Sequence, residues 1–219
     1  MFLDGPRGFR DPARVDERRR LLETAPGAQP LRTYREQLIS RRVEKTGGPV
    51  YVPDFDPADG ASTTRVLFVL EAPGPMTNSS TKRPGSGFIS VDNNDVTAAN
   101  MWAARDAVGL DSGCLAWNIV PWYLGVASNK PNAIDLRDGA LELALLLKAL
   151  PALRVVVLHG SFAQRGWLEH TAKTLDQPLN VAGTWHPSPL ALNTPLRRQD
   201  LAGTLEWAAT KAQGDIAHR

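Results

Sequence analysis

Cysteine is nearly absent from this chain: of 219 residues only Cys114 is one. That excludes an intramolecular disulfide and any iron–sulfur cluster held by four thiolates of this chain. The four histidines, His159, His170, His186 and His218, show no HExxH pattern or comparable ligand spacing. No metal site and no cofactor are therefore expected, and the chemistry must come from other groups. Missing too is any run near the roughly 18 apolar residues of a membrane span. The opening MFLDGPRGFRDPARVDERRR is too polar for a secretory signal, so a cytoplasmic protein with no membrane partner is expected. Charge of one sign is also scarce. The net charge is +2, with 11 Lys/Arg against 7 Asp/Glu in residues 1–45 and 14 against 16 beyond them. This balance does not by itself demand nucleic acid, and the amino-terminal arginines read as a solvated helix face.

What is present suits one globular domain over 1–219, with 42% hydrophobic residues to fill a core. Residues 1–60 read as an amino-terminal helical arm and linker: 12–42 is helical in pattern with a break at 25–30, and the Pro/Gly/Asp-rich GGPVYVPDFDPADGAS comes after it. The core, 61–219, opens on RVLFVL (65–70) and continues with CLAWNIV (114–120) and RVVVLH (154–159). Short runs apolar on both faces suit strands buried in a parallel sheet. Helical patterns lie between and after them at 97–108, 133–150 and 161–173, and a fourth strand, LNVAGTW (179–185), precedes a closing helix at 197–211. This alternation predicts an α/β fold, a three-layer α/β/α sandwich around a central, mainly parallel four-stranded sheet.

In open α/β sheets ligands bind beyond the carboxyl ends of the strands, so the residues just past each strand are the ones to weigh. Those residues are EAPGPM, Asn118 with PWYLG, HGS, and HPSPL. Glu71 reads either as a cleft carboxylate or as a solvated residue closing a strand. Pro73-Gly74-Pro75 brings backbone close to any ligand. Asn118 interrupts an apolar strand, which costs energy unless its amide is bonded; it is either a ligand reader or a tie between loops. Phe88, in GSGFIS, is either a platform for a flat ring or a buried staple. Ser161 lacks the G-x-S-x-G elbow and reads as a helix cap, and Lys82 after NSST is not part of a Walker A loop. In TWHPSPLALN, Pro187 and Pro189 fix their own φ and bias His186 and Ser188 toward extended backbone, a stiff loop suited to aiming a side chain.

Taken in order, EAPG after the first strand, an aromatic about fifteen residues on, an asparagine ending the second strand and HPSPL after the fourth resemble the uracil-DNA glycosylase superfamily. LHGSFAQRG also looks like that family's strand-to-helix turn, and the likeness runs from about residue 65 to 193. The resemblance implies a monofunctional glycosylase that hydrolyses the N-glycosidic bond of uracil in DNA, releases free uracil and leaves an abasic site in base-excision repair. It implies that Phe88 stacks on the base, with Ala72, Pro73 and Gly74 lining its pocket, and that Asn118 reads the amide edge. His186 then stabilises charge on uracil O2, and Glu71 positions water or stabilises the sugar cation. Leu190 is the wedge, with Ser188 and Pro189 gripping the DNA backbone. Apart from the resemblance, Lys82, Arg83 and Arg197 read either as phosphate contacts on the DNA or as plain surface charges, and a monomer is expected. Where one branch of the superfamily has an aspartate, this chain has Ala72, which leaves Asp92 and Asp95 as reserve carboxylates. The alternatives are a member that binds damaged or abasic DNA with little turnover, and an α/β enzyme acting on small nucleosides, for which the near-neutral charge speaks.

Overall fold

The computed structural model describes residues 2–80, 84–125, 129–175 and 178–214. Its centre is a four-stranded parallel sheet of β2 (Val66–Leu70), β4 (Cys114–Asn118), β5 (Val155–His159) and β6 (Asn180–Thr184), in the spatial order β4-β2-β5-β6. All three pairings are parallel, with Leu70 opposite Asn118 and His159 opposite Thr184. The carboxyl ends of the strands therefore finish level, along one edge of the sheet. The expected three-layer α/β architecture is the one observed.

Strand periodicity sorts the core into two halves, because successive side chains leave opposite faces. Leu67, Val69, Leu115, Trp117, Val156 and Leu158 face one way, onto α2 (Gln29–Thr46) and α4 (Ala133–Lys148). Val66, Phe68, Val155 and Val157 face the other, onto Met101 of α3 (Val96–Asp106) and Leu201, Leu205 and Ala208 of α6 (Pro195–Gln213). Cys114 lies in this second half, and burial pushes its thiol up to about 12. The helix starts carry ordinary local causes. Asn132 and Asp135 form a capping box on α4, and the Asp95 carboxylate accepts the Ala98 N–H at the start of α3.

The strand and helix boundaries read from the pattern shift by a few residues, as ends do. The larger difference is at 161–173, where α5 (Ser161–Gly166) gives way to a π-type turn over Trp167–Thr171. Two elements had no pattern to announce them: β1 (Asp54–Phe55) and β3 (Phe88–Ile89) pair in parallel as a separate two-residue ribbon.

The amino-terminal arm is built into the core. Helix α1 (Pro12–Thr24) buries Arg18, whose guanidinium donates to Asp56 and, at 2.9 Å, to Asp92. Asp92 also accepts the Leu3 N–H at 3.1 Å, and Phe9 N–H donates to the Asp92 carbonyl at 2.9 Å. The arginines at 14 and 19 of this helix are half-exposed and pair with Glu17 and Asp16 one turn away, so the solvated-face reading holds for them and fails for Arg18.

Candidate active site

At the level edge of the sheet a cavity of about 290 Å³ opens, walled by the ends of β2 and β4, the Pro73–Thr77 turn, the Ile89–Asp95 loop, the start of α3 and His186. It brings together Ala72, Pro73, Gly74, Asn118 and His186, segments far apart in the chain. Its lining is mostly apolar, with Met76 and Met101 among the walls and a few polar groups placed between them.

Asn118 ends β4 with its backbone in register with Leu70 and its side chain 4% exposed. No hydrogen bond to its amide is present among the described residues, although it lines the cavity. The amide instead faces the cavity, where a ligand's donor and acceptor would pair with it.

His186 comes just after β6, which is anchored by Thr184: its carbonyl accepts Gly160 N–H at 2.8 Å and Gln164 Nε2 at 3.0 Å. Beyond it, Asn100 Nδ2 donates to the Pro187 carbonyl at 2.7 Å, tying the proline loop to α3. The Ser188 N–H donates to His186 Nδ1 at 3.2 Å. That bond makes Nδ1 the acceptor and puts the proton of the neutral ring on Nε2. Burial lowers the His186 pKa; Glu71 pulls it back up and Lys130 opposes that pull. The ring is thus a neutral N–H donor at the cavity wall.

A family model of the uracil DNA glycosylase superfamily matches residues 57–208. The chain belongs to that superfamily. No curated protein matches it. The matched segment takes in the whole central sheet and every cavity wall, and leaves the amino-terminal arm outside.

Other positions carried over from the superfamily fall differently. Phe88 does not line the cavity. In the β1–β3 ribbon Phe88 and Ile89 leave opposite faces, so Ile89 lines the cavity while Phe88, 1% exposed, packs with Phe9 and Val15 of the arm. The stacking role expected for Phe88 is corrected on this ground; its ring meets Phe9 at 6.1 Å instead. The arm that captures it gave no sign of this in the sequence. Glu71 stands outside the lining as well, with both carboxylate oxygens held by Lys130 Nζ at 2.8 and 3.1 Å. Of the reserve carboxylates, Asp92 is fully buried, bonded to Arg18 and Leu3, and does not line the cavity. Asp95 does line the cavity; burial raises its pKa, against the N–H groups of Ala98 and Thr97. Leu190 is 83% exposed beside the cleft, Ser188 is half-buried and Pro189 exposed in the same loop, and Arg197 sits at the start of α6. Lys82 and Arg83 lie outside the described residues.

Gly160, in the HGS turn, holds His186 in place. Its φ is +84°, and a Cβ built there would stand 3.0 Å from the His186 Cβ. Alanine at 160 meets both a backbone region that is nearly glycine-only and a crowded neighbour, an expected loss of about 1–3 kcal/mol in stability. Gly160→Ala should also displace His186, so catalytic rate should drop more than the urea midpoint accounts for; an unchanged rate would show that the turn does not position the ring.

His159 lies fully buried beneath the same loop, its Nδ1 3.5 Å from the Trp185 carbonyl and its Nε2 without a partner among the described residues. Burial, then the neighbouring His186, push its pKa from 6.5 down to about 3. Between those values the unfolded chain binds a proton that the folded chain refuses, so stability falls as pH falls, by at most about 1.4 kcal/mol per pH unit. Above the unfolded value this group causes no loss. His186 adds to the same slope in the upper part of the window, since its pKa is lowered too. His159→Phe should flatten the acid limb in denaturant titrations across that window; an identical slope would rule His159 out as its source.

Proposed function

We propose that this chain is a monofunctional glycosylase that hydrolyses the N-glycosidic bond of uracil in DNA, releasing free uracil and leaving an abasic site. The observation that carries the reading is a neutral His186 whose Nδ1 is occupied and whose Nε2–H remains to donate, sharing a cavity with an Asn118 amide that has no partner among the described residues. A base extruded from the helix loses stacking worth a few kcal/mol and must be held by its edge and faces. Asn118 offers one donor and one acceptor to the N3–H and O4 edge of uracil, while Ala72, Pro73 and Gly74 of the first motif and the apolar side chains of Met76, Ile89 and Met101 enclose the ring.

In the chemical step the C1′–N1 bond breaks, its electron pair passes into the uracil ring, and negative charge collects on O2. A preorganised N–H aimed at developing charge is the strongest single aid available, and a neutral donor does not have to be deprotonated or reoriented to act. Negative charge for the oxocarbenium-like sugar comes from Asp95 in the cavity wall, with Glu71, paired to Lys130 outside the lining, as the second carboxylate. Water adds at C1′ and gives its proton to carboxylate or solvent, which completes hydrolysis without any covalent enzyme intermediate. Leu190 fills the vacated position in the stack, and Ser188, Pro189 and Arg197 grip the strand around it.

A duplex carrying one uracil, incubated with the protein and then treated with alkali, should break at that position, and free uracil should appear in equal amount. Retention of the duplex in a gel shift with no base release would favour a damage-binding member instead. Turnover of a free nucleoside without duplex binding would favour a small-molecule enzyme.

A further inference from the structure

The loop that carries His186 continues into a surface that the base cavity does not use. Around it three large apolar side chains face solvent: Leu190, Leu196 at 74% exposure and Trp185 at 42%. Scattered exposed hydrophobic residues need no explanation, but these are bound into one unit. The Arg197 guanidinium lies over the Trp185 ring, 3.9 Å from its centroid. Its Nη1 donates to the Ala191 carbonyl and to Asn193 Oδ1, both at 3.2 Å, and Arg198 Nη1 donates to the Leu192 carbonyl at 2.6 Å. The aromatic ring, the turn after Leu190 and the first turn of α6 are thus locked together, with Leu192 buried beneath them in the core.

Charge narrows the choice of occupant. Residues 184–198 contain two arginines and no acid. The next carboxylate, Asp200, already accepts the Thr184 hydroxyl at 2.7 Å. Each guanidinium has more N–H donors than its backbone and side-chain partners use. A flat π surface flanked by cations with spare donors matches stacked bases joined by phosphates. It is a poor match for a basic or purely aliphatic partner.

We propose that Trp185, backed by Arg197, is the platform on which the base opposite the extruded nucleotide stacks, with the exposed Leu196 in the first turn of α6 as a second apolar prong at the opened step. Extrusion leaves that partner base without its pair and with a disturbed stack, and an exposed indole held at fixed orientation replaces the lost contact. The surface makes recognition favour double-stranded DNA. This rests on the glycosylase reading of the adjoining cavity, and its test does not depend on base release.

The experiment uses the full chain and a duplex holding a tetrahydrofuran abasic analogue opposite 2-aminopurine. With the wild-type protein, 2-aminopurine emission should be quenched on binding. Trp185→Leu, which keeps apolar bulk and removes the π face, should lose that quenching and bind this duplex about tenfold or more weakly, in line with base–aromatic stacking of about 1–3 kcal/mol. Trp185→Phe should restore part of both signals. Leu196→Ala, a change at an exposed position, should weaken duplex binding by a few-fold and leave binding to the corresponding single strand unchanged. Wild-type affinity and emission in both Trp185→Leu and Leu196→Ala would overturn the proposal. Binding with quenching but without uracil release would instead count against the glycosylase reading alone.

Discussion

His186→Ala should slow uracil release in single turnover by about a hundred- to a thousandfold, the typical loss on deleting one donor from a preorganised anion site. Duplex binding should stay within a few-fold of wild type, because the ring acts on charge that appears only as the bond breaks. The fixed tautomer sharpens this expectation. With Nδ1 engaged by the Ser188 N–H, the ring has one proton to offer and one direction in which to offer it. Burial lowers its pKa below 6.5, so the rate should hold level as pH falls through 6.5 and decline only when the imidazole protonates. His186 produces no loss on the alkaline side. A full rate in His186→Ala, measured by quench-flow at saturating enzyme, would remove the histidine from the chemical step.

Arg18→Leu should cost about 3–5 kcal/mol of stability, since it strands two buried carboxylates that share one guanidinium. Asp56 and Asp92 are 3% and 0% exposed, and Ser90 Oγ also donates to Asp56. A loss of that size is a large part of the roughly 5–15 kcal/mol that holds most domains folded. Urea unfolding should show the midpoint moving with little change in slope. Adding Asp56→Asn and Asp92→Asn to Arg18→Leu should recover part of the loss, because the stranded charge rather than the missing contact carries most of it. The same cluster fixes the 88–95 loop, so the cavity wall at Ile89, Ser90 and Val91 should loosen with it. A midpoint unchanged in Arg18→Leu would show the cluster to be neutralised in some other way.

The sheet and the site's frame were readable because parallel strands buried on both faces leave continuous apolar runs, and because the residues just past such strands must share an edge. On that logic alone Asn118, His186 and the first-motif turn were expected to meet, and they do. Phe88 was misplaced because its destination depends on a partner, Phe9, that precedes it by 79 positions and lies in a segment with no family pattern. A two-residue strand such as β3 carries too little periodicity to say which of Phe88 and Ile89 turns inward. Arg18 looked like one of a row of surface arginines, since composition does not distinguish an arginine that finds two carboxylates 38 and 74 positions away from one that finds water. Asp95 was in view only as a reserve carboxylate beside Asp92; the structure separates the two, with Asp95 capping α3 at the cavity wall and Asp92 buried under Arg18.

The arm also orders events at the ribosome. At synthesis rates of about 5–20 residues per second, Asp92 emerges roughly 4–15 s after Arg18, which lies 74 positions ahead of it. During the first half of that delay neither carboxylate partner has been made, and until residue 92 emerges the cation of the leading helix has only Asp56, 38 positions behind it, to pair with. Slowing or pausing translation before residue 92 would lengthen the period in which holding factors, rather than the protein's own carboxylates, must keep that helix from straying.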